Sequence, residues 1–197
     1  DDHKIHDICK SFNGTMVYAP EDSKAQTANG DANHLKYCNV LTADVVNYDF
    51  TTGEQTLDFK NEDKTIFKVM FKAPESIVQN ATTLKISGAS WSAAPELTLG
   101  FTAQKDAEVT AYLIAAGGAT IASGQELCFT LTISGKNYGY KAKLTDEKTY
   151  DSGKMYTANL TGIVFLPLCP DDNHPHMVDL GLSVKWASCN LGAIKAE

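Results

Sequence analysis

The residues that first suggest chemistry in this chain are its five histidines, its five cysteines and its aromatic side chains. His174 and His176 stand two apart beside Asp171 and Asp172. In an extended segment alternate side chains project to one side, and imidazole with carboxylate suits zinc or copper. They are the metal candidates, set against the plainer reading of a solvated linker, and no metal site or cofactor is expected. Asp1-Asp2-His3 would chelate copper or nickel only with a free amine on Asp1. The cysteines Cys9, Cys38, Cys128, Cys169 and Cys189 have no CxxC or similar spacing, which argues against structural zinc. Their odd number leaves at least one free or intermolecular. Cys128 as a nucleophile would need a histidine partner and an electropositive setting. Neither can be located, so a buried, inert thiol is expected. With no GxSxG, HExxH or glycine-rich phosphate loop in the chain, a non-enzyme is expected.

Aromatic residues offer a different chemistry. Tyr138, Tyr140, Tyr150 and Tyr156 with Trp91 would make a stacking platform for sugars if they were exposed together. Tyr138 and Tyr140 share a strand face with Leu144, so sheet packing also accounts for them. Trp91 sits among small residues in SGASWSAAPE and is the better exposed contact, unless it plugs the end of a sandwich.

The charge excludes other functions. All 17 basic side chains are lysines, against 24 acidic ones, for a net charge of −7. An acidic chain without arginine lacks the basic footprint and the guanidinium forks that nucleic acid and bidentate phosphate recognition use. No segment approaches the ~18 apolar residues of a membrane helix. A chain that opens on Asp1 without Met or signal peptide is expected to have lost a precursor segment.

The elements that must position these residues are strands. Phe67, Val69 and Phe71 alternate with Ile66, Lys68, Met70 and Lys72; Leu97, Leu99 and Phe101 alternate with Thr98 and Gly100. Leu127, Phe129, Leu131 and Ile133, then Tyr138, Tyr140, Ala142 and Leu144, repeat the pattern on either side of Ser134-Gly135-Lys136-Asn137, which predicts a hairpin. Residues 103–116 are alanine-rich, as a helix would be, but Val109, Tyr112 and Ile114 suit a strand equally well. Period 2 with one apolar face predicts an all-β fold, an antiparallel β-sandwich. Residues 20–36 read as a long polar loop of the kind that carries function. Residues 169–176, with two prolines among charges, read as a linker. Beyond it Val178, Leu180, Leu182, Val184 and Trp186 alternate with small and polar residues. Burying those five is worth roughly 7–15 kcal/mol. The tail is therefore expected to pack on its own chain, to open a further module, or to insert into another molecule. The domain reading is 1–168 as sandwich, with a subdivision near residue 90 left open, and 177–197 as strand tail or module start.

The segment QTANGDANHL, 26–35, with LTADV, 41–45, resembles the fimbrillin-like (type V pilin) surface proteins of Bacteroides-type bacteria. The resemblance extends through TLDFKNEDKTIFKVMFKAPE, 56–75, AYLIAAG, 111–117, and the Gly-Lys-x-Tyr segments within 124–162. A second resemblance, MVDLGLSVKWASCNLGA at 177–193, is to the opening of the major paralogous domain named after Fibrobacter. The family implies a transthyretin-like sandwich; the strands expected before Gln26 are largely missing here, which leaves either an incomplete N-terminal half with an open groove or a compact variant. It implies a secreted, lipidated precursor anchored at the outer membrane through a segment upstream of this chain, and a stalk, anchor or tip role in a cell-surface fimbria. It also implies assembly by strand exchange with other pilin subunits or with itself. Val178, Leu180, Leu182, Val184 and Trp186 would then be the groove-filling side chains. The family's maturation cut follows an arginine, so that cut is expected upstream of Asp1. The alternative is a carbohydrate-binding module of a surface protein with Trp91, Tyr138 and Tyr140 in contact with glycans. Host or bacterial surface glycans and proteins are the further partners, and no nucleic acid is expected.

Overall fold

A computed structural model describes residues 11–18, 25–38, 41–49, 56–60, 63–168, 177–178 and 186–187. Among the described residues the regular elements are strands, apart from one helical turn. In chain order they are β1 (Ser11–Tyr18), a one-turn helix α1 (Leu35–Cys38), β2 (Leu41–Asp49), β3 (Lys64–Lys72), β4 (Thr82–Ser87) and β5 (Glu96–Thr98). Then follow β6 (Glu108–Ala116), β7 (Ala119–Ile121), β8 (Glu126–Ile133), β9 (Lys136–Lys143) and β10 (Lys148–Tyr150). The last are β11 (Met155–Leu160), β12 (Leu166–Pro167), β13 (Met177–Val178) and β14 (Trp186–Ala187).

Two sheets make the sandwich. One has five strands in the order β12-β9-β8-β4-β5; the other has three, β11-β3-β6. The period-2 residues supply the layer between them. Phe67, Val69 and Phe71 of β3 and Val109, Ala111 and Leu113 of β6 join Leu84 and Ile86 of β4 and Phe129 and Leu131 of β8 in one buried cluster. Each strand hides alternate side chains because successive Cβ atoms point to opposite faces. Leu97, Leu99 and Phe101 are buried as expected, although the strand there is only three residues long. Polar groups that enter the core carry their partners with them: Thr65 Oγ1 donates to Lys154 O at 3.0 Å, and Thr82 Oγ1 donates to Val78 O at 3.0 Å.

The β8–β9 hairpin is tighter than the sequence suggests. Ile133 pairs with Lys136, so only Ser134 and Gly135 form the turn. Their φ values of 48° and 81° are both positive, as a two-residue type I′ turn requires. Residues 108–116 are strand throughout.

Three expectations change. The sandwich is not antiparallel throughout, because β11 pairs with β3 in parallel, Met155 opposite Ile66 through Leu160 opposite Phe71. A parallel partner needs a long crossover; here the chain between β3 and β11 builds most of the domain, so local sequence could not announce the pairing. The alternating run Val178–Trp186 is not one continuous strand. Val178 pairs antiparallel with Trp186 and Met177 with Ala187, β13 against β14. Leu180, Leu182 and Val184, and the linker with His174 and His176, lie outside the described residues. Before Gln26, β1 pairs antiparallel with β2 as a separate two-stranded sheet, with a register shift between Phe12 and Gly14.

Candidate interaction surface

Strand edges are the reactive groups of a β-sandwich, because each edge strand presents backbone N–H and C=O groups that another strand can pair with. The three-stranded sheet ends on β11 and on β6. The two edges differ in what covers them.

On β11 the ladder to β3 begins with Ile66 N–H donating to Lys154 O at 2.9 Å. In a parallel pair the inward groups alternate along the strand. Even-numbered residues of β11 therefore serve β3, and the N–H and C=O of Met155, Thr157 and Asn159 point away from it. Among the described residues no strand pairs with that outer side. The side chains of Met155, Thr157 and Asn159 are exposed, while Tyr156 and Ala158 pack against the core.

The β6 edge is covered by side chains. Ala73 N–H donates to Ala107 O at 3.0 Å and Gly117 N–H to Asp63 O at 2.8 Å, so odd-numbered backbone groups face β3 and even-numbered ones face outward. Gln26 takes two of these: its Nε2 donates to Thr110 O at 2.8 Å and its Oε1 accepts from Tyr112 N–H at 3.0 Å. Asn29 repeats the pattern one step along, accepting from Thr110 N–H at 2.8 Å and donating to Glu108 O at 2.9 Å. His34 Nε2 lies 2.7 Å from Tyr112 O. A carbonyl can only accept, so that nitrogen carries the proton. The long polar loop of the sequence reading is thus pinned along its described part, with Gln26 fully buried and bridged to Leu99. Sequence reasoning missed these three residues as edge contacts. The signal was present as two amides and a histidine within nine residues, but nothing local named their target strand.

The aromatic side chains gather at one end of the sandwich. Trp91 stacks on Tyr150 (5.9 Å between centroids) and meets Phe67 edge-on at 5.6 Å, and its Nε1 donates to Ala116 O at 3.2 Å. Tyr156 stands edge-on to Tyr150 at 5.1 Å, with Lys148 Nζ 5.2 Å from its ring centroid. Trp91 is half-buried and plugs this end. Tyr138 is only 7 % exposed and belongs to the core, so it is removed from the surface platform the sequence suggested. Its neighbour Tyr140 is half-buried and stacks on Phe129 at 6.5 Å. The alternation that put these tyrosines beside Leu144 pointed them inward.

Burial pushes the Tyr150 phenol above its ordinary range, and Tyr156 beside it adds to the rise. The folded state therefore favours the protonated phenol, whereas the unfolded chain ionises near pH ~10. The associated stability is complete below that pH and falls as pH rises through it toward the folded value. Thermal melts between pH 9 and pH 12 should show this alkaline loss, and Tyr150→Phe should make the melting temperature fall less steeply over that range.

Cys128 corrects another expectation. Its neighbours Leu127 and Phe129 are buried, and it lies on the opposite, outer face of the five-stranded sheet, half-buried. There it lines a groove of about 340 Å³ with Ser87, Thr130, Gly139, Lys141 and Leu168. Burial raises the thiol pKa, Lys141 opposes this and Glu126 adds to it, so the sulfur is held as the unreactive thiol. Leu168 lies across Gly139, where a Cβ would come within 2.8 Å of its methyl groups. Lys141 pairs with Glu126 at 3.6 Å on the exposed rim, a contact worth at most about 1 kcal/mol. Among the described residues no three His, Cys, Asp or Glu side chains come together as a metal site. No described helix is long and apolar enough to cross a membrane.

No family model matches the sequence, and no curated protein matches it. Solved structures similar to the chain include a protein from Bacteroides ovatus, provisionally named a cell adhesion protein, at 13 % identity and a TM-score of 0.36. The alignment covers 78 % of this chain and 58 % of that one. A protein from Bacteroides uniformis with the same provisional name aligns at 16 % identity and a TM-score of 0.37, over 80 % of this chain and 71 % of that one.

Proposed function

We propose that the chain is a non-enzymatic cell-surface subunit, an adhesin or fimbrial component, that assembles by β-strand exchange. The observation that carries this reading is the outer edge of β11, where the N–H and C=O of Met155, Thr157 and Asn159 point away from β3. Such an edge recognises an extended segment through main-chain hydrogen bonds, and pockets for alternate side chains select it. The chain carries a segment of that composition in Val178, Leu180, Leu182, Val184 and Trp186. Because Val178 and Trp186 pair with each other, the donor hairpin must open before it can add to a neighbour. The ordered aromatic end and the unreactive Cys128 thiol fit a structural subunit, and the partner is another copy of this chain or a related pilin at the cell surface.

Two variants test the reading by light-scattering mass after size exclusion. Deleting residues 177–197 should abolish self-association of the full chain. Thr157→Pro should block it as well, because it removes one outward N–H of β11 without removing a β3 ladder bond. An unchanged mass distribution in both variants would overturn the proposal.

A further inference from the structure

From Glu108 to Tyr112 the outward backbone of β6 is matched by side chains. Gln26 and Asn29 each present an amide whose oxygen takes an N–H and whose nitrogen supplies the neighbouring C=O. That pair of bonds is what a paired strand would make. His34 continues the row to Tyr112 O, Gly30 N–H reaches Thr110 O at 3.0 Å, and Trp91 caps Ala116 O at the far end. Segment 26–34 thus behaves as a strand made of side chains.

The composition of the strand it lies along explains why cover is needed. Val109–Ala116, VTAYLIAA, is eight residues without a charge, glycine or proline, rich in β-branched and aromatic side chains. An uncovered edge of that composition is a template for pairing with other chains. Antiparallel self-pairing about Tyr112 would set Glu108 opposite Ala116 and Thr110 opposite Ile114, with no like charges opposed. A two-fold contact of this kind is self-complementary.

We propose that segment 26–34 locks a latent self-association edge, and that the occupant the lock excludes is β6 of a second copy of this chain. The consequence deepens the strand-exchange reading and rests on it in one respect: with β6 closed, the three-stranded sheet accepts an added strand at β11 alone.

The test uses the full chain. Asn29→Ala, at an exposed position that should fold, and the double variant Gln26→Ala/Asn29→Ala are compared with the unmodified protein by residue-resolved hydrogen exchange and by light-scattering mass. The Thr110 amide should exchange roughly tenfold or more faster in Asn29→Ala under dilute conditions, and the Tyr112 amide should follow in the double variant. The double variant should also gain a concentration-dependent dimer. Adding Thr110→Lys, a charge on the outer face of β6, should return it to the unmodified distribution. Unchanged exchange at Thr110 in Asn29→Ala overturns the lock. A dimer that persists with Thr110→Lys overturns the β6 pairing. Association that vanishes on deleting 177–197 but ignores Asn29→Ala belongs to tail exchange, so the two proposals fail separately.

Discussion

Replacing Phe71 with alanine should destabilise the fold by about 3–5 kcal/mol, the range for removing a fully buried aromatic ring. Phe71 has no exposed surface, packs against Phe165 at 5.6 Å between ring centroids, and stands on the central strand of the three-stranded sheet. It therefore touches the layer that both sheets share, and neighbouring strands hydrogen-bonded on both sides of β3 cannot collapse into the void. Chemical denaturation should show a lower midpoint with an unchanged slope. A loss below about 1 kcal/mol would mean that the two inner faces do not close on this ring.

Gly88→Ala should have a comparable effect for another reason. Gly88 lies at φ 109°, a region that side-chain-bearing residues avoid, and an added Cβ would collide with the backbone carbonyl of Glu126. Each source of strain is worth about 1–3 kcal/mol, and a main-chain oxygen held in the sheet cannot swing aside as a side chain would. The position joins β4 to the loop that carries Trp91, so loss of the near-ultraviolet signal of that end should accompany the lower melting temperature. A variant that melts with the parent would overturn the geometry assigned to Gly88.

The two edges of the small sheet frame the functional reading. Both belong to strands with the same kind of backbone groups, yet one row is engaged by Gln26, Asn29 and His34 while the other faces outward. If assembly proceeds by adding strands, a subunit must accept one at a chosen edge and refuse it elsewhere, since uncontrolled pairing leads to aggregation. Closing β6 with amide side chains achieves this without a further strand.

Much of the sandwich was legible in the sequence because its signal is local. Alternation along residues 66–72 and 127–133 reports which side chains face inward, and two positive-φ positions at Ser134-Gly135 define a hairpin within ten residues. The same periodicity correctly put Leu99, Leu131 and Phe71 on apolar faces. The expectation of a buried Cys128 fails, because the residue alternates with Leu127 and Phe129 and so lies on the outer face.

What the sequence by itself determined is the strand content, the inward faces, and a net negative charge without arginine. Tertiary structure alone decided the edges. The parallel pairing of β11 with β3 joins residues about ninety apart, and the amides of Gln26 and Asn29 reach backbone groups 79 to 86 positions away. A hydrogen bond depends on where two groups meet in space, and no periodicity along the chain encodes a partner that far removed. Only once the core has set β6 against β3 does the segment 26–34 have an edge to cover.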